Sequence, residues 1–357
     1  MKSAASDVPA TKTPRIIAFD YLRGYFILIL IVDHLWRWPN LFQYVSGRGE
    51  LWVSAAEGFI IISGLLVGYV HGYKKRHIPL KDIAKRLIKR GLMLYVWMVI
   101  TTIVLVSAIW LLQARGATAH IPIVQHDWSA LLSSAISLDY VNSLTHFLYL
   151  YAIYLVLSPL VLWLLRRGKS WIVLASSLAG WMLGYGFGIE WLQWQILFFV
   201  AATGGYHMDT LFHRYRSLSI SHKRTLRIGS ISVLITTFIM CIVALLPLDP
   251  GTYRNSTFTR MPLTIETVGL AFVWFIGYLS LFQYLLPILK RSIGWLLLTF
   301  GERSLTAYIL HIVPLILCQW LIANTNNFWL NTLYALGAVL MTWALMRIPH
   351  INRIIPR

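Results

Sequence analysis

Long runs of apolar residues recur along the whole chain and are separated by shorter polar segments. Each run is close to the ~20 residues that an α-helix needs to cross the hydrocarbon core of a bilayer. A shorter apolar stretch at 292–300 is expected to lie at the membrane interface or to re-enter the membrane. The pattern predicts ten membrane-spanning helices, at residues 16–36, 51–72, 91–112, 145–165, 170–189, 191–210, 228–248, 265–287, 302–323 and 328–347.

The composition excludes a soluble protein. Of the 357 residues, 58% are hydrophobic and 12% are charged, whereas an average soluble domain has about 25% charged residues. The expected fold is therefore all-α, a polytopic membrane helix bundle of about ten transmembrane helices. Residues 15–347 form its membrane domain, between an N-terminal tail at 1–14 and a basic tail at 348–357. The first apolar run lacks a cleavable signal pattern, so we expect it to remain as a signal anchor.

The basic residues predict the orientation of the chain. With the N-terminus in the cytoplasm, 24 Lys and Arg residues fall on the cytoplasmic side and five on the opposite side. Cytoplasmic loops carry the excess of basic residues in membrane proteins, so both termini are expected to be cytoplasmic. These loops explain the net charge of +18 without a nucleic-acid partner, since they orient the helices and contact anionic lipid. In a second interpretation, residues 74–90 and 213–227 also bind the phosphates of a nucleotide-containing donor.

The first span, "RGYFILILIVDHLWRW" at 23–38, carries ionisable residues. Arg23 and His34 are eleven residues apart, which on an ideal helix puts them on one face and about 16 Å apart along the axis. Asp20 lies on that face one turn before Arg23 and can pair with its guanidinium, while Asp33 points about 100° away. A central charge costs roughly 2.5–3.5 kcal/mol to insert, so this face is expected to look into the bundle. The competing interpretation is an Asp20–Arg23 pair that only locks helices together.

The second span carries Glu57 about one and a half turns below its outer end. This depth is similar to that of His34, so the two side chains are expected to meet. Ser63 and Gly64 allow a neighbouring helix to approach closely. An intramembrane carboxylate is by default a candidate functional residue, and a structural hydrogen bond within the bundle is the alternative.

A third polar cluster lies in "FGERSLTAYILHIVPL" at 300–315. Gly301 is expected to break the helix and Ser304 to cap the next one, and Pro314 to kink the helix above. One polar face then enters the membrane from the cytoplasmic side, with helix-packing hydrogen bonds as the alternative. It comprises Ser304, Tyr308 and His311, with Glu302 and Arg303 at its mouth.

These residue types favour one kind of chemistry. A histidine, with an ordinary pKa near 6.5, can take the proton of an attacking hydroxyl when an acid holds it in one tautomer. An arginine keeps its proton and suits the binding of an anion. Arg23 is too far from His34 to share one small transition state, so we assign Arg23 to a donor channel or to the helix framework, and His34 to chemistry near the outer side. Together they indicate transfer of an activated acyl group across the bilayer onto an outer hydroxyl.

Three segments resemble those of the acyltransferase-3 superfamily of integral membrane acyltransferases. "FDYLRGYFILILIVDHLWRWP" resembles its first helix, "SAAEGFIIISGLLVGY" its second, and "FGERSLTAYILHIVPL" a late helix with the pattern G-x-x-S-x-x-x-Y-x-x-H. The "DH" motif in the first segment and the "AAE" motif in the second are closest to the OpgC branch, whose members succinylate periplasmic glucans. The three motifs are short, but they occur in the family's order and cover the length of the chain.

The resemblance implies a reaction and roles for the polar residues. It implies an acyl-CoA donor, acetyl-CoA or succinyl-CoA, bound from the cytoplasm as a substrate with no bound cofactor. It implies a hydroxyl acceptor on an extracytoplasmic glycan or glycolipid, and a place in the bacterial cytoplasmic (inner) membrane. The catalytic residues would be His34, Glu57 and Asp33, and the donor-binding or framework residues Arg23, Asp20, Ser63, Glu302, Ser304, Tyr308 and His311.

Two other classes of protein remain possible at this point. A proton-coupled transporter or flippase would also place ionisable residues inside its helices, although it should show pseudo-symmetric halves. A non-catalytic membrane scaffold would need none of them for activity. Both cysteines, Cys241 and Cys318, lie in apolar runs, and HExxH, CxxC and GxxxxGK[ST] patterns are absent, so no metal site or ATPase is expected. Outer-loop residues such as Asp127, Asp139 and Arg260 are candidates for contacting the acceptor.

Overall fold

The computed structural model describes residues 17–114, 127–247, 257–322, 325–351 and 355. Throughout these ranges the regular secondary structure is helical, which confirms the predicted all-α class. A π-helical segment, Val67–Lys74, continues α3. The α-helices are α1 (Ile17–Leu35), α2 (Gln43–Ser46), α3 (Ala55–Leu66), α4 (Leu80–Ala114), α5 (Trp128–Ser137), α6 (His146–Arg166), α7 (Ser170–Phe187), α8 (Glu190–Tyr206), α9 (Met208–Ser217), α10 (Ile220–Leu245), α11 (Ile265–Arg291), α12 (Gly294–Glu302), α13 (Ser304–Leu310), α14 (Ile312–Leu321) and α15 (Phe328–Leu345).

Eight helical segments of the described chain are long and apolar enough to cross a membrane. They correspond to eight of the ten predicted spans. The other two predicted spans are α1, which holds Asp20, Arg23 and Asp33, and α8, which is 17 residues long. Both are largely buried among the other helices, so their polar residues face protein. The protein is a polytopic helical membrane bundle.

Three predicted spans differ from the structure; one of them, 228–248, belongs to a longer helix, α10, which begins at Ile220. The span predicted at 91–112 belongs to a longer helix, α4, which begins at Leu80 because the basic segment before residue 91 is itself helical. The span predicted at 302–323 is divided into α13 and α14 at His311. Pro314 explains this division, since proline has no N–H to donate to the carbonyl of residue 310 and its ring crowds that turn.

Glycines let α1 and α12 pack backbone against backbone. A Cβ at Gly24 of α1 would overlap the carbonyl oxygen of Leu297, and a Cβ at Gly301 of α12 would overlap that of Asp20. Small residues are the usual means of close helix packing inside a membrane. The stretch expected at the interface, 292–300, therefore forms most of a helix that lies along α1, with Leu297 and Phe300 buried.

Glycines also allow α3 and its π-helical continuation to pack closely against α8. A Cβ at Gly64 would overlap the carbonyl oxygen of Phe198, and one at Gly68 would overlap that of Ala202. From the other side, Gly205 of α8 meets the carbonyl oxygen of Leu65. The helices that carry the predicted polar residues are thus held at short, fixed separations.

Substitution at Gly24 tests this packing. We expect Gly24→Ala to lower stability by about 1–3 kcal/mol, the usual cost of overpacking, because the new methyl group meets a backbone atom. Gly337→Ala is the matched control, since a Cβ at Gly337 in α15 has no atom within 4 Å. The measurement is the thermal unfolding midpoint of the purified protein in detergent. A midpoint for Gly24→Ala equal to that of Gly337→Ala would contradict the close packing of α1 and α12.

Candidate functional site

Three polar contacts join α1 to the segment formed by α13 and α14. The Arg23 guanidinium donates to the Ser304 hydroxyl, the imidazoles of His34 and His311 are in contact, and Arg37 donates to two carbonyl oxygens at the end of α14. The contacts follow in the same order along both segments, so the two segments run in parallel. This direction agrees with the predicted orientation, in which both spans start on the cytoplasmic side.

The histidine contact is the centre of the candidate site. Nδ1 of His34 lies 3.0 Å from Nε2 of His311. His311 is fully buried, whereas His34 is partly exposed in the last turn of α1. His34 is therefore the member of the pair that a substrate can reach.

The backbone of α13 sets the tautomer of this pair. Nδ1 of His311 is hydrogen-bonded to the carbonyl oxygen of Tyr308. A carbonyl oxygen can only accept, so Nδ1 of His311 carries the proton, and Nε2 of the neutral ring is an acceptor. His34 then donates from Nδ1 to that acceptor, which leaves the lone pair of His34 Nε2 free. In this arrangement Nε2 of His34 can accept a proton or a hydrogen bond.

The division between α13 and α14 places His311 where it can act in this way. The helix ends at Leu310 because of Pro314, and His311 sits at the junction. The Tyr308 hydroxyl donates to the Leu144 carbonyl oxygen at 2.7 Å, which ties α13 to the chain just before α6. Tyr308 therefore belongs to the framework that positions His311.

Ser304 has a different role from the one expected. It is the first residue of α13, and its side chain does not cap the helix. Its hydroxyl accepts from Arg23 instead, so the expectation of a cap at Ser304 was wrong. The N-cap position of α13 is Arg303, one residue before Ser304, so the serine hydroxyl is available to the guanidinium.

Glu57 does not hydrogen-bond to His34. Its Oε2 accepts from the backbone N–H of Ser54 at 2.8 Å and from the Ser54 hydroxyl at 2.5 Å. The two residues form a capping box at the start of α3. Oε1 is buried, and nothing in the described part of the chain hydrogen-bonds to it. The expected meeting of Glu57 and His34 fails because the helix cap takes the carboxylate first; a catalytic role for Glu57 stays a prediction.

Asp33 and His34 face different neighbours, as the helical angle predicted. Asp33 packs against Gly49 in the turn that follows α2, and its carboxyl group interacts with Ser46 and with the charge of Arg260. Arg260 in turn donates to the Gly49 carbonyl oxygen at 2.7 Å. Asp33 is thus part of an outer cluster on the other side of α1, and its predicted catalytic role is untested.

The remaining predicted residues divide between two cavities. Arg23 and Ser63 line a cavity of about 220 Å³ among α1, α3, α4 and α6. Asp20 and Glu302 line another, of about 490 Å³, together with Lys290. The structure therefore separates the predicted donor-binding residues into a basic group and a mixed-charge group.

Two outer-loop residues predicted as acceptor contacts serve local structure. Asp127 caps α5, where it accepts from the backbone N–H groups of Ser129 and Ala130. These hydrogen bonds, with that of the Ser129 hydroxyl first among them, hold the pKa of Asp127 below its ordinary value. Asp139 accepts from the Ser137 hydroxyl at 2.6 Å.

Sequence reasoning missed two polar contacts, one buried and one partly exposed. Arg37 was counted in an outer loop, but its side chain is buried and donates to the carbonyl oxygens of Cys318 and Ile322 at 3.0 and 2.6 Å. A cation there also complements the negative end of the α14 dipole. The second contact pairs His146 with Glu190, whose Nε2 and Oε2 lie 2.9 Å apart. The sequence carries no signal for the Arg37 contact, since the direction of this side chain depends on where α1 ends, at Leu35.

The residues that the structure describes do not bring three or more His, Cys, Asp or Glu side chains together as metal ligands. The polar groups at the contacts between α1 and the α13–α14 segment are imidazoles, guanidiniums, a hydroxyl and backbone carbonyls.

Fold and site together define an integral membrane protein with ionisable groups inside its helix bundle. The model of the OpgC protein family matches residues 15–353. The match covers nearly the whole chain, so the chain belongs to the OpgC family. Membership indicates a membrane transferase, namely an acyltransferase that modifies glucans. A search of curated proteins and a search of solved structures found no match, and the wider resemblance to the acyltransferase-3 superfamily stays a prediction.

The capping box gives a test at Glu57. We expect Glu57→Ala to lower stability by about 1–3 kcal/mol, the cost of leaving a buried donor unsatisfied. Glu57→Gln should stay close to the wild type, since glutamine also completes a capping box. Thermal unfolding midpoints in detergent measure both variants. Equal midpoints for the two variants would contradict the cap, and loss of turnover in Glu57→Gln at an unchanged midpoint would assign the carboxylate to the chemistry.

Proposed function

We propose that this protein transfers an acetyl or succinyl group from cytoplasmic acyl-CoA to a hydroxyl of an extracytoplasmic glycan or glycolipid. The observation that carries the proposal is the His34–His311 contact, in which a buried histidine held by a backbone carbonyl leaves Nε2 of a partly exposed histidine free. Family membership supports acyl transfer to glucans. The apolar helices support a place in the membrane, and we assign it to the bacterial cytoplasmic membrane.

The reaction requires one group that first takes a proton from the acceptor and later gives it to the leaving group. Nε2 of His34 removes the proton of the acceptor hydroxyl, and the oxygen attacks the carbonyl carbon of the thioester. The tetrahedral intermediate collapses with cleavage of the C–S bond. The protonated His34 returns the proton to the departing sulfur, so that the products are an O-acyl ester and CoA with a free thiol. General base catalysis of this kind contributes about 10²–10⁴-fold.

His311 acts through His34. By accepting from Nδ1, it holds the imidazole of His34 in one orientation and keeps the proton off Nε2. A neutral, buried histidine suits this task because it brings no charge into the helix bundle. The role predicted for a carboxylate is thus filled by a second imidazole.

The depth of the site fits a CoA donor. Arg23 and His34 are separated by about 16 Å along α1. The pantetheine arm of CoA has about as many chain atoms as four residues of extended backbone, so it spans roughly 14 Å. A donor whose phosphates stay near the cytoplasmic end of α1 can therefore present its thioester close to His34.

Substitution of His34 tests the base. We expect His34→Asn to lower CoA release from acetyl-CoA or succinyl-CoA by at least about 10²-fold, because asparagine cannot take up a proton. The assay measures CoA release and radiolabel transfer to a glucan acceptor by the purified protein. The control is His350→Asn, which changes an exposed histidine near the C-terminus. Solute transport by proteoliposomes without CoA release would instead support a carrier.

Substitution of His311 tests the positioning role. We expect His311→Ala to lower kcat with little change in the KM for the donor, since His311 orients the base and does not hold CoA. His311→Gln should recover part of the loss, because its amide oxygen can accept from His34 Nδ1. Steady-state kinetics measures both variants. A rise in KM at unchanged kcat, or equal losses in the two variants, would contradict this role.

A further inference from the structure

The cavity beside Arg23 has a basic wall. It lies toward the N-terminal end of α1, the end predicted to face the cytoplasm. It takes basic side chains from three elements: Arg23 from α1, His71 from the π-helical segment and Arg90 from α4. Its remaining polar groups are the hydroxyls of Ser63 and Tyr151. None of the residues that line it is acidic. Such a cavity favours an anion.

Two of these basic side chains have unused hydrogen-bonding atoms. Nε of Arg90 and Nδ1 of His71 are buried, and neither has a hydrogen-bond partner within the described ranges. A buried donor that stays unsatisfied costs about 1–3 kcal/mol. An anion that accepts from these atoms would remove this cost.

The shape of the cavity depends on the π-helical segment. Val67, Val70 and His71 all come from it, and they form one side of the cavity. Arg166 holds the end of this segment, because it donates to the carbonyl oxygens of His71, Lys75 and Ile78 at 3.2, 3.0 and 2.9 Å. Short π-helical turns are frequent at functional sites. Here the turn brings a histidine to face Arg90.

A row of aromatic rings connects the cavity to the histidine pair. Tyr151 lines the cavity and contacts Phe147, with their ring centres 5.7 Å apart. Phe147 contacts Tyr308 at 5.5 Å, and Tyr308 contacts His311 at 5.3 Å. The row therefore runs from the basic cavity to the proposed base without a gap.

We propose that this cavity binds a phosphate group of the CoA donor, with Arg90 and His71 as phosphate ligands beside Arg23. The inference rests on the proposed function. It adds His71, which lies outside the predicted set, and it singles out Arg90 from the basic segment 74–90 that the sequence offered to donor phosphates. Arginine is suited to phosphate because its planar guanidinium donates two parallel hydrogen bonds. The pantetheine arm then follows the aromatic row toward His34.

Binding of non-reacting donor fragments tests the pocket separately from catalysis. Calorimetry in a neutral detergent compares CoA with pantetheine, which lacks the phosphates. We expect Arg90→Gln to weaken CoA binding by about tenfold or more, as the loss of a charge-assisted hydrogen bond implies, and His71→Asn to weaken it severalfold. Pantetheine binding should be weak and the same in every variant. The matched control, Lys89→Gln, removes an exposed charge from the adjacent position of α4 and should leave CoA binding unchanged.

Equal CoA affinity in Arg90→Gln and the wild type would overturn the pocket. Arg90→Lys controls for misfolding at this position. If it keeps the wild-type unfolding midpoint and part of the CoA affinity, loss of the folded state does not explain the loss of binding. Failure of the pocket is distinct from failure of the proposed function. If CoA binds in an Arg90-dependent way but no acyl group is transferred from acyl-CoA, the pocket stands and the reaction is wrong. If Arg90→Gln transfers the acyl group normally while His34→Asn does not, the reverse holds.

Anionic lipid is the other source of the same phosphate chemistry. To test lipid binding, CoA affinity and unfolding midpoints are compared in nanodiscs of phosphatidylcholine with and without phosphatidylglycerol. We expect phosphatidylglycerol to leave the CoA affinity of the wild type unchanged. An Arg90-dependent rise of the unfolding midpoint with phosphatidylglycerol, together with loss of CoA binding in its presence, would assign the pocket to a lipid headgroup and overturn its assignment to the donor.

Discussion

Much of this structure depends on the parallel pairing of α1 with the α13–α14 segment. The bilayer makes an unpaired ionisable group expensive, so Arg23, His34 and Arg37 each need a partner inside the protein. All three find one on the same segment, at a hydroxyl, an imidazole and a pair of backbone carbonyls. This pairing fixes the depth and the direction of these three side chains.

The other packing contacts preserve that pairing. Glycines bring α12 against the N-terminal half of α1 and bring α8 against α3, so two of the helices that line the basic cavity are packed closely against the rest of the bundle. Pro314 ends α13 just before His311. A proline and a few glycines thus shape a bundle that holds the histidine pair at one depth and the basic cavity at another.

The fold and part of the site could be predicted from the sequence. The spacing of Arg23 and His34, and that of Ser304 and His311, gave the face of each helix correctly, because helical periodicity is a local property. The partners could not be predicted in this way, since the rotation of one helix against another depends on packing across the bundle. Glu57 is the exception: the order Ser54-Ala-Ala-Glu57 is itself a capping-box signature, so its hydrogen bond to Ser54 could have been read directly. Arg90 is assigned to a cytoplasmic loop by the sequence pattern, because the first residues of α4 do not form an apolar run.

The central claim is that a thioester supplied from the cytoplasm is consumed at a base near the outer side. The most direct measurement uses sealed proteoliposomes of known protein orientation, with labelled acyl-CoA on one side and glucan on the other. The account predicts acylated glucan only when the donor is on the side of the basic loops and the acceptor on the opposite side, with none in His34→Asn. Product formed with both substrates on one side alone, or with the donor on the outer side, would contradict it.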